Sequence, residues 1–150
     1  MKNTDIKSRI DSLPSQMSLV EKLGQLNQLG TPVAKDVDAF REKVRKGEIG
    51  SVLMAVSATA ENDAQGAIDV SFYDELQRIA VEESAHGIPL LFGRDVIHGH
   101  HTVYPIPLAL AASFNNEQIE KCYHNIAAEA ANDAIHWSFT MMLDVSRDPR

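Results

Sequence analysis

The chain has 150 residues, of which 44% are hydrophobic, so it is long enough to bury one core, and its composition shows none of the signs of disorder. Its formal net charge of −7 and the absence of any basic run argue against nucleic acid and membranes as partners and favour a neutral ligand. Because it has neither a membrane-length apolar run nor the apolar centre of a signal peptide, we expect a soluble protein and leave its native compartment, periplasmic, secreted or cytoplasmic, open.

Helices and strands are predicted to alternate along the chain. Ser18 and Glu21 form the S-x-x-E pattern of a capping box, which predicts that a helix begins there. A second helix is predicted at about 36–46, where Gly47 ends it, and the apolar run at 49–56 predicts a buried strand. The remaining predicted elements are a loop at 57–66, a helix at 69–85, a strand at 88–93, a turn-rich stretch to 115, a helix at 116–134 and a strand at 136–145.

This alternation favours parallel strands joined by crossover helices, and apolar strands of this kind are typical of a sheet covered by helices. We therefore predict an α/β fold of the (β/α)8 TIM-barrel type. A complete barrel takes about 250 residues, so residues 1–150 are expected to form its N-terminal portion only. The single cysteine, Cys122, falls in the predicted helix at 116–134 and is interpreted as a small buried hydrophobe.

Polar side chains that directly follow strands are the first candidates for function, since the active sites of barrel enzymes lie at the carboxyl ends of the strands. Three stretches qualify, at 54–59, 94–101 and 144–150. The middle one belongs to the run G-R-D-V-I-H-G-H-H at 93–101, in which the carboxylate of Asp95 could accept hydrogen bonds from adjacent sugar hydroxyls. An ion pair between Asp95 and Arg94 that holds a loop explains the same residues equally well.

The same run also resembles a metal cluster, because H-x-H at the end of a strand can direct two imidazoles at one zinc ion. A metal-dependent hydrolase that uses Asp95, His98 and His100 is therefore an alternative function. We nevertheless expect no functional metal. The last stretch ends in R-D-P-R at 147–150, which is compatible with a salt-bridged turn in which Pro149 fixes the backbone.

Five segments, in the same order along the chain, resemble the N-terminal barrel domain of the family 3 glycoside hydrolases, in their bacterial β-glucosidase branch. The segments are MSLVEKLGQLNQ at 17–28, GEIGSVLM at 47–54, LQRIAVEESAHGIPLLFGRDVIHG at 76–99, TVYPIPLALAASFN at 102–115 and HWSFTMMLDVSRDPR at 136–150. The related N-acetylhexosaminidase branch has a different pattern at the position of Asp95, so the resemblance argues against that activity.

The resemblance implies removal of terminal, non-reducing β-D-glucosyl residues from oligosaccharides or aryl glucosides, with retention of configuration and without a cofactor. Retention requires two carboxyl groups about 5–5.5 Å apart, a nucleophile and an acid/base. In the family these are an aspartate on a later strand and commonly a glutamate of a following α/β domain. Neither has a matching position here, so both are expected beyond Arg150. We therefore expect no catalytic residue in this chain and no activity from the segment alone. A non-catalytic sugar-binding fragment is a further alternative.

By the same resemblance, Asp95 binds hydroxyls of the sugar, and Arg94, His98 and Gly99 support or shape its loop. The family often has Tyr-Arg where this chain has two histidines at 100–101, and that arginine faces the sugar in some members. His101 is therefore a candidate for a second contact with the substrate.

Arg147 and Asp148 match family positions that we interpret as supports behind the sugar-binding residues. The expected partner is a β-glucoside or an oligosaccharide, and a homodimer of the complete protein is compatible with the resemblance. Nucleic acid and membranes are not expected as partners. The choice between glucose and xylose and the preferred linkage stay open.

Overall fold

The structure is a computed structural model that describes residues 3–31, 36–54 and 70–141. Its elements, in chain order, are α1 (Asn3–Gln16), α2 (Leu19–Gln25), β1 (Gln28–Gly30), α3 (Val37–Arg45), β2 (Ser51–Leu53), α4 (Val70–Arg78), β3 (Leu91–Arg94), α5 (Pro107–Ala112), α6 (Asn116–Asn132) and β4 (Trp137–Ser138). Helix α4 continues directly into a short π-helix, Ile79–Glu83. Within this part of the chain, no helix combines the length and apolar character that crossing a membrane requires.

The four strands form one parallel sheet in the order β1-β2-β3-β4. Leu29 pairs with Val52, Val52 pairs with Phe92, and Gly93 pairs with Trp137. Each strand therefore lies beside the next strand of the chain, and the crossovers between β1 and β2, β2 and β3, and β3 and β4 contain helices. This is the arrangement of successive βα units in a barrel wall, so the predicted α/β class is confirmed.

The ends of the first helices follow local sequence signals. Ser18 Oγ accepts a hydrogen bond from the amide of Glu21 at 3.2 Å, and Glu21 Oε2 accepts one from the amide of Ser18 at 2.8 Å, which confirms the predicted capping box. Gly47, with φ +70°, ends α3 in the left-handed region that glycine adopts at little cost. Gly24 of α2 lies against this turn, since a Cβ there would come within 1.9 Å of the carbonyl oxygen of Gly47.

The strand predicted at 88–93 begins later than expected, at Leu91. The reason is that a side chain, and not a neighbouring strand, forms hydrogen bonds with the backbone of Leu90. Gln77 Oε1 accepts a hydrogen bond from the amide of Leu90 at 2.7 Å, and Gln77 Nε2 donates one to the carbonyl oxygen of Leu90 at 3.2 Å. The ladder with β2 starts one residue further on, and α4 is fixed to the amino end of β3.

The strand predicted at 136–145 is wrong over residues 139–141, because β4 comprises only Trp137–Ser138. Its partner β3 ends at Arg94, whose carbonyl oxygen accepts the last hydrogen bond from the amide of Phe139 at 3.1 Å. Residues 142–145 of the prediction, and all of the loop predicted at 57–66, lie outside the described residues.

The hydrophobic core joins β2 and β3 to α3, α4 and the carboxyl end of α6. Val52 and Phe92, from the two central strands, are buried together with Leu76 of α4. The ring of Tyr73 packs edge-on against that of Phe92, with 5.3 Å between the centroids. Burial of one such apolar side chain contributes about 1.5–3 kcal/mol, so this packing gives the loop after β3 a rigid base. Cys122, by contrast, is only half-buried on α6.

Candidate functional site

The carboxyl end of β3 carries the first predicted site residues. Gly93 lies under the ring of Phe139, and a Cβ at this position would come within 2.6 Å of Phe139 Cζ, so close packing requires a glycine here. Arg94 Nη1 donates a hydrogen bond to the carbonyl oxygen of Met54 at 3.3 Å. Arg94 therefore ties the end of β3 to the end of β2, and its role as a support of the sugar site stays a prediction.

Asp95 follows β3 directly, and its side chain is exposed. Its Oδ1 accepts a hydrogen bond from the amide of Ile97 at 3.0 Å, so the carboxylate caps its own turn. An ionised carboxylate offers about four acceptor positions on its two oxygens. The turn bond occupies one of them, and the group retains acceptor capacity for hydroxyls of a ligand.

His98 and Gly99 close the loop that follows Asp95. The carbonyl oxygen of His98 accepts a hydrogen bond from the amide of Tyr104 at 2.6 Å, and Gly99 forms an isolated antiparallel bridge with Val103. Gly99 has φ +130°, and a Cβ there would come within 2.0 Å of the carbonyl oxygen of Thr102. The tight return of the chain at this point thus depends on glycine, and both residues shape the loop.

His100 and His101 bind one oxygen of a distant carboxylate. Asp133, at the end of α6, places its Oδ2 2.7 Å from His100 Nε2 and 2.6 Å from His101 Nε2. The His100 side chain is 3% exposed and that of His101 65% exposed, so one imidazole is buried and the other faces solvent. The cluster joins the loop after β3 to the helix before β4.

Glu129 attaches the same loop one helical turn earlier on α6. Its Oε2 accepts hydrogen bonds from the amides of His101 at 3.0 Å and Thr102 at 2.9 Å, and its Oε1 accepts one from Thr102 Oγ1 at 2.6 Å. Asp133 directly follows the last residue of α6, so Glu129 from the helix and Asp133 from its C-terminal end present two carboxylates to one short loop. In this structure α6 determines the position of the loop.

Both carboxyl groups have lowered pKa values. The hydrogen bonds from Thr102, followed by those from the neighbouring backbone, lower the pKa of Glu129. Burial alone would raise the pKa of Asp133, but the hydrogen bonds from His100 and His101 outweigh it and leave this pKa lowered. Both groups are therefore ionised at neutral pH and act as acceptors, so each imidazole donates from Nε2 to Asp133.

The alternative metal cluster of Asp95, His98 and His100 is not the group that the fold assembles. Among the described residues, the cluster whose potential ligand atoms lie within 4.8 Å of one another comprises His100, His101 and Asp133.

The two carboxylates of α6 were missed because they lie about 30 residues along the chain from the loop. Their spacing of four on a helix was the available signal, but nothing local links it to the loop.

The last predicted site residues belong to the R-D-P-R run at 147–150. Arg147, Asp148 and Arg150 lie outside the described residues, so the supporting roles assigned to the first two stay predictions. The catalytic nucleophile and acid/base, expected beyond Arg150, likewise stay a prediction, since they were assigned to no residue of this chain.

A parallel α/β sheet whose strands follow one another in chain order, with a polar loop after a central strand, places this chain in the (β/α)8-barrel class. The chain belongs to glycosyl hydrolase family 3, since residues 18–150 match the N-terminal domain of that family. The resemblance found in the sequence and the predicted fold class are thereby confirmed.

Relatives with curated names or solved structures cover almost the whole chain. The periplasmic beta-glucosidase of Salmonella typhimurium is 33% identical over 141 residues, which are 94% of this chain and 17% of that protein. The crystal structure of a beta-glucosidase from Listeria innocua in complex with glucose has a TM-score of 0.73 at 32% identity, and the match covers 95% of this chain and 20% of that one.

An exo-1,3/1,4-beta-glucanase from a Pseudoalteromonas species has a TM-score of 0.75 at 25% identity, over 99% of this chain and 19% of that one. The chain therefore spans about a fifth of the length of the relatives it matches.

Proposed function

We propose that the complete protein to which this chain belongs is a retaining β-glucosidase that removes terminal β-D-glucosyl residues from oligosaccharides or aryl glucosides. The observation that carries the proposal is family membership combined with the position of Asp95, whose exposed carboxylate directly follows β3. Barrel enzymes bind their substrates at this end of the strands. Similarity to the Listeria innocua enzyme, whose structure was solved in complex with glucose, supports glucose as the sugar.

In this proposal Asp95 binds hydroxyls of the terminal glucose. A carboxylate accepts charge-assisted hydrogen bonds, each worth about 1.5–3 kcal/mol, and adjacent hydroxyls of a pyranose can engage both of its oxygens. The bond from the amide of Ile97 to Asp95 Oδ1 supports the role, because it restricts the carboxylate before a sugar arrives. Less conformational freedom then has to be lost on binding.

His101 is a weaker candidate for a second contact. Its Nε2 is bound to Asp133, so a sugar would have to use the exposed remainder of the ring or replace that carboxylate. We propose Arg94, His98 and Gly99 as supports of the loop, and Arg147 and Asp148 as further supports at the end of the chain.

The chemistry itself is proposed to come from residues beyond Arg150 in the complete protein. A retaining mechanism needs a nucleophilic carboxylate and an acid/base about 5–5.5 Å apart, and the family supplies these from a later strand and a following domain. This chain would then supply sugar binding and part of the barrel wall.

Turnover of an aryl β-glucoside by the complete protein, compared with the isolated 150-residue chain, tests both parts of the proposal. We expect turnover by the complete protein, a lower kcat/KM with the matching aryl β-xyloside, and none above background with the chain alone. A complete protein that leaves the glucoside intact would contradict the function. Clear turnover by the chain alone would contradict the assignment of the catalytic carboxyl groups to other residues.

A further inference from the structure

We propose that His100, His101 and Asp133 form a binding site for one divalent transition-metal ion, with zinc as the expected ion. Their potential ligand atoms lie within 4.8 Å of one another, and both imidazole Nε2 atoms already lie against the same carboxylate oxygen. Two imidazoles and one carboxylate are a donor set that zinc prefers. The site does not include Asp95, but it includes His101, the weaker candidate for a second contact with the sugar.

The two imidazole–carboxylate pairs need only a small movement to accept the ion. In a tetrahedral site with metal–ligand bonds of about 2.0–2.2 Å, neighbouring ligand atoms lie about 3.3 Å apart. The two Nε2–Oδ2 distances are 2.7 Å and 2.6 Å, so each pair has to open by about 0.6 Å. The His101 side chain is 65% exposed, and a rotation of this ring meets little packing resistance.

The backbone that carries the two histidines is fixed before the ion binds. Glu129 accepts hydrogen bonds from the amides of His101 and Thr102, and the left-handed Gly99 sets the direction of the loop. Glu129 lies on α6, and the third ligand, Asp133, directly follows the end of that helix. Loop and helix therefore already hold the three donors together, and little ordering has to accompany binding.

Charge and access also favour a cation at this place. Asp133 and Glu129 place two carboxyl groups at the loop that carries the imidazoles. The exposed His101 leaves an approach from solvent, and three protein ligands leave a fourth position for water.

Binding replaces the Nε2 protons of the histidines. In a neutral imidazole the proton moves from Nε2 to Nδ1, and the Nε2 lone pair then binds the metal. A bound ion would join the loop at 98–102 to the end of α6, and its expected effect is a higher melting temperature.

The experiment is a titration of the chelator-treated complete protein with zinc, in competition with a chromophoric chelator, and a parallel titration with Co²⁺ that reports coordination by visible absorption. We expect one ion per chain. His101→Ala and Asp133→Asn should each reduce the affinity for zinc at least about 10²-fold. Mutation of residues that only support a metal ligand already reduces metal affinity by up to about 10²-fold, and loss of the ligand itself should reduce it at least as much.

The matched control is His124→Ala, which removes another exposed histidine, on α6 but outside the cluster, and should leave the affinity unchanged. Circular dichroism establishes that the variants are folded. If Asp133→Asn does not fold, His101→Ala decides, since its side chain is mostly exposed. Absence of saturable zinc binding by the unaltered protein, or equal affinities for it and His101→Ala, would overturn the proposal. The histidines and Asp133 would then serve only to attach the loop.

Discussion

Replacement of Asp95 by asparagine separates the proposed sugar contact from the structural turn. Asparagine has nearly the same shape and keeps a side-chain oxygen that can accept the hydrogen bond from the amide of Ile97, 3.0 Å from Asp95 Oδ1 in this structure. Asparagine and aspartate both favour this kind of turn. The substitution removes the negative charge and replaces one acceptor with an NH₂ donor, so it should disturb the ligand more than the fold.

The expected loss follows from the hydrogen bonds that the charged oxygen would make. One such bond is worth about 1.5–3 kcal/mol, and it gains strength if the sugar distorts toward the transition state. A loss of about 2.7 kcal/mol reduces kcat/KM a hundredfold, so we expect a decrease of about 10² or more in the complete enzyme. Stability should change by less than about 0.5 kcal/mol, as is usual for an exposed position.

The assay compares kcat/KM for an aryl β-glucoside with the melting temperature, in the complete protein and its Asp95→Asn variant. Asp74→Asn is the matched control, because Asp74 is an exposed aspartate on α4 with no assigned role in the site. If Asp95→Asn had normal kinetics, at any melting temperature, the assignment of Asp95 to the sugar site would be refuted, and its observed role would be to cap the turn through the bond from the amide of Ile97.

Three further outcomes are expected. Glu129→Gln should lower the melting temperature at neutral pH. The hydrogen bonds from Thr102 lower the folded-state pKa of Glu129, so the difference in melting temperature between the variant and the unaltered protein should shrink as pH falls through that lowered pKa. Melting curves of both proteins at decreasing pH measure this difference. Gly99→Ala should lower the melting temperature, because Gly99 has φ +130° and a Cβ there would lie 2.0 Å from the carbonyl oxygen of Thr102. The control, Gly30→Ala, should have a melting temperature close to that of the unaltered protein, because a Cβ at Gly30 would meet nothing within 4 Å. Excess EDTA should leave kcat/KM for an aryl β-glucoside unchanged, and an activity lost on chelation and restored by zinc would contradict this expectation.

The sequence predicted those elements whose signals are local. The alanine-rich stretch predicted at 116–134 contains α6, and the apolar runs at 49–56 and 88–93 contain β2 and the start of β3. The prediction at 49–56 was too long, since residues 49, 50 and 54 lie outside β2. The capping box at Ser18 could also be predicted from the sequence, because both of its partners lie within one helical turn. Helix α5 was missed, since its short run Pro107–Ala112 lies among turn residues with no helical periodicity to mark it.

The features that depended on distant partners could not be predicted from the sequence. The late start of β3 is caused by Gln77, and the early end of β4 by the end of its neighbouring strand. In the same way, the sequence indicated the histidines at 100–101 as possible ligands, but it did not indicate their partner Asp133, which reaches them only because α6 packs beside the loop. The position of the loop could be predicted from the sequence, whereas the contacts of its histidines with Asp133 depend on tertiary packing.

The anomeric configuration of the first product tests the central claim most directly. Proton NMR during hydrolysis of an aryl β-glucoside by the complete protein distinguishes β-glucose from α-glucose before the two interconvert. A retaining β-glucosidase releases β-glucose first, with α-glucose appearing later by mutarotation. Initial release of α-glucose, or no hydrolysis of the glucoside, would contradict the proposed function.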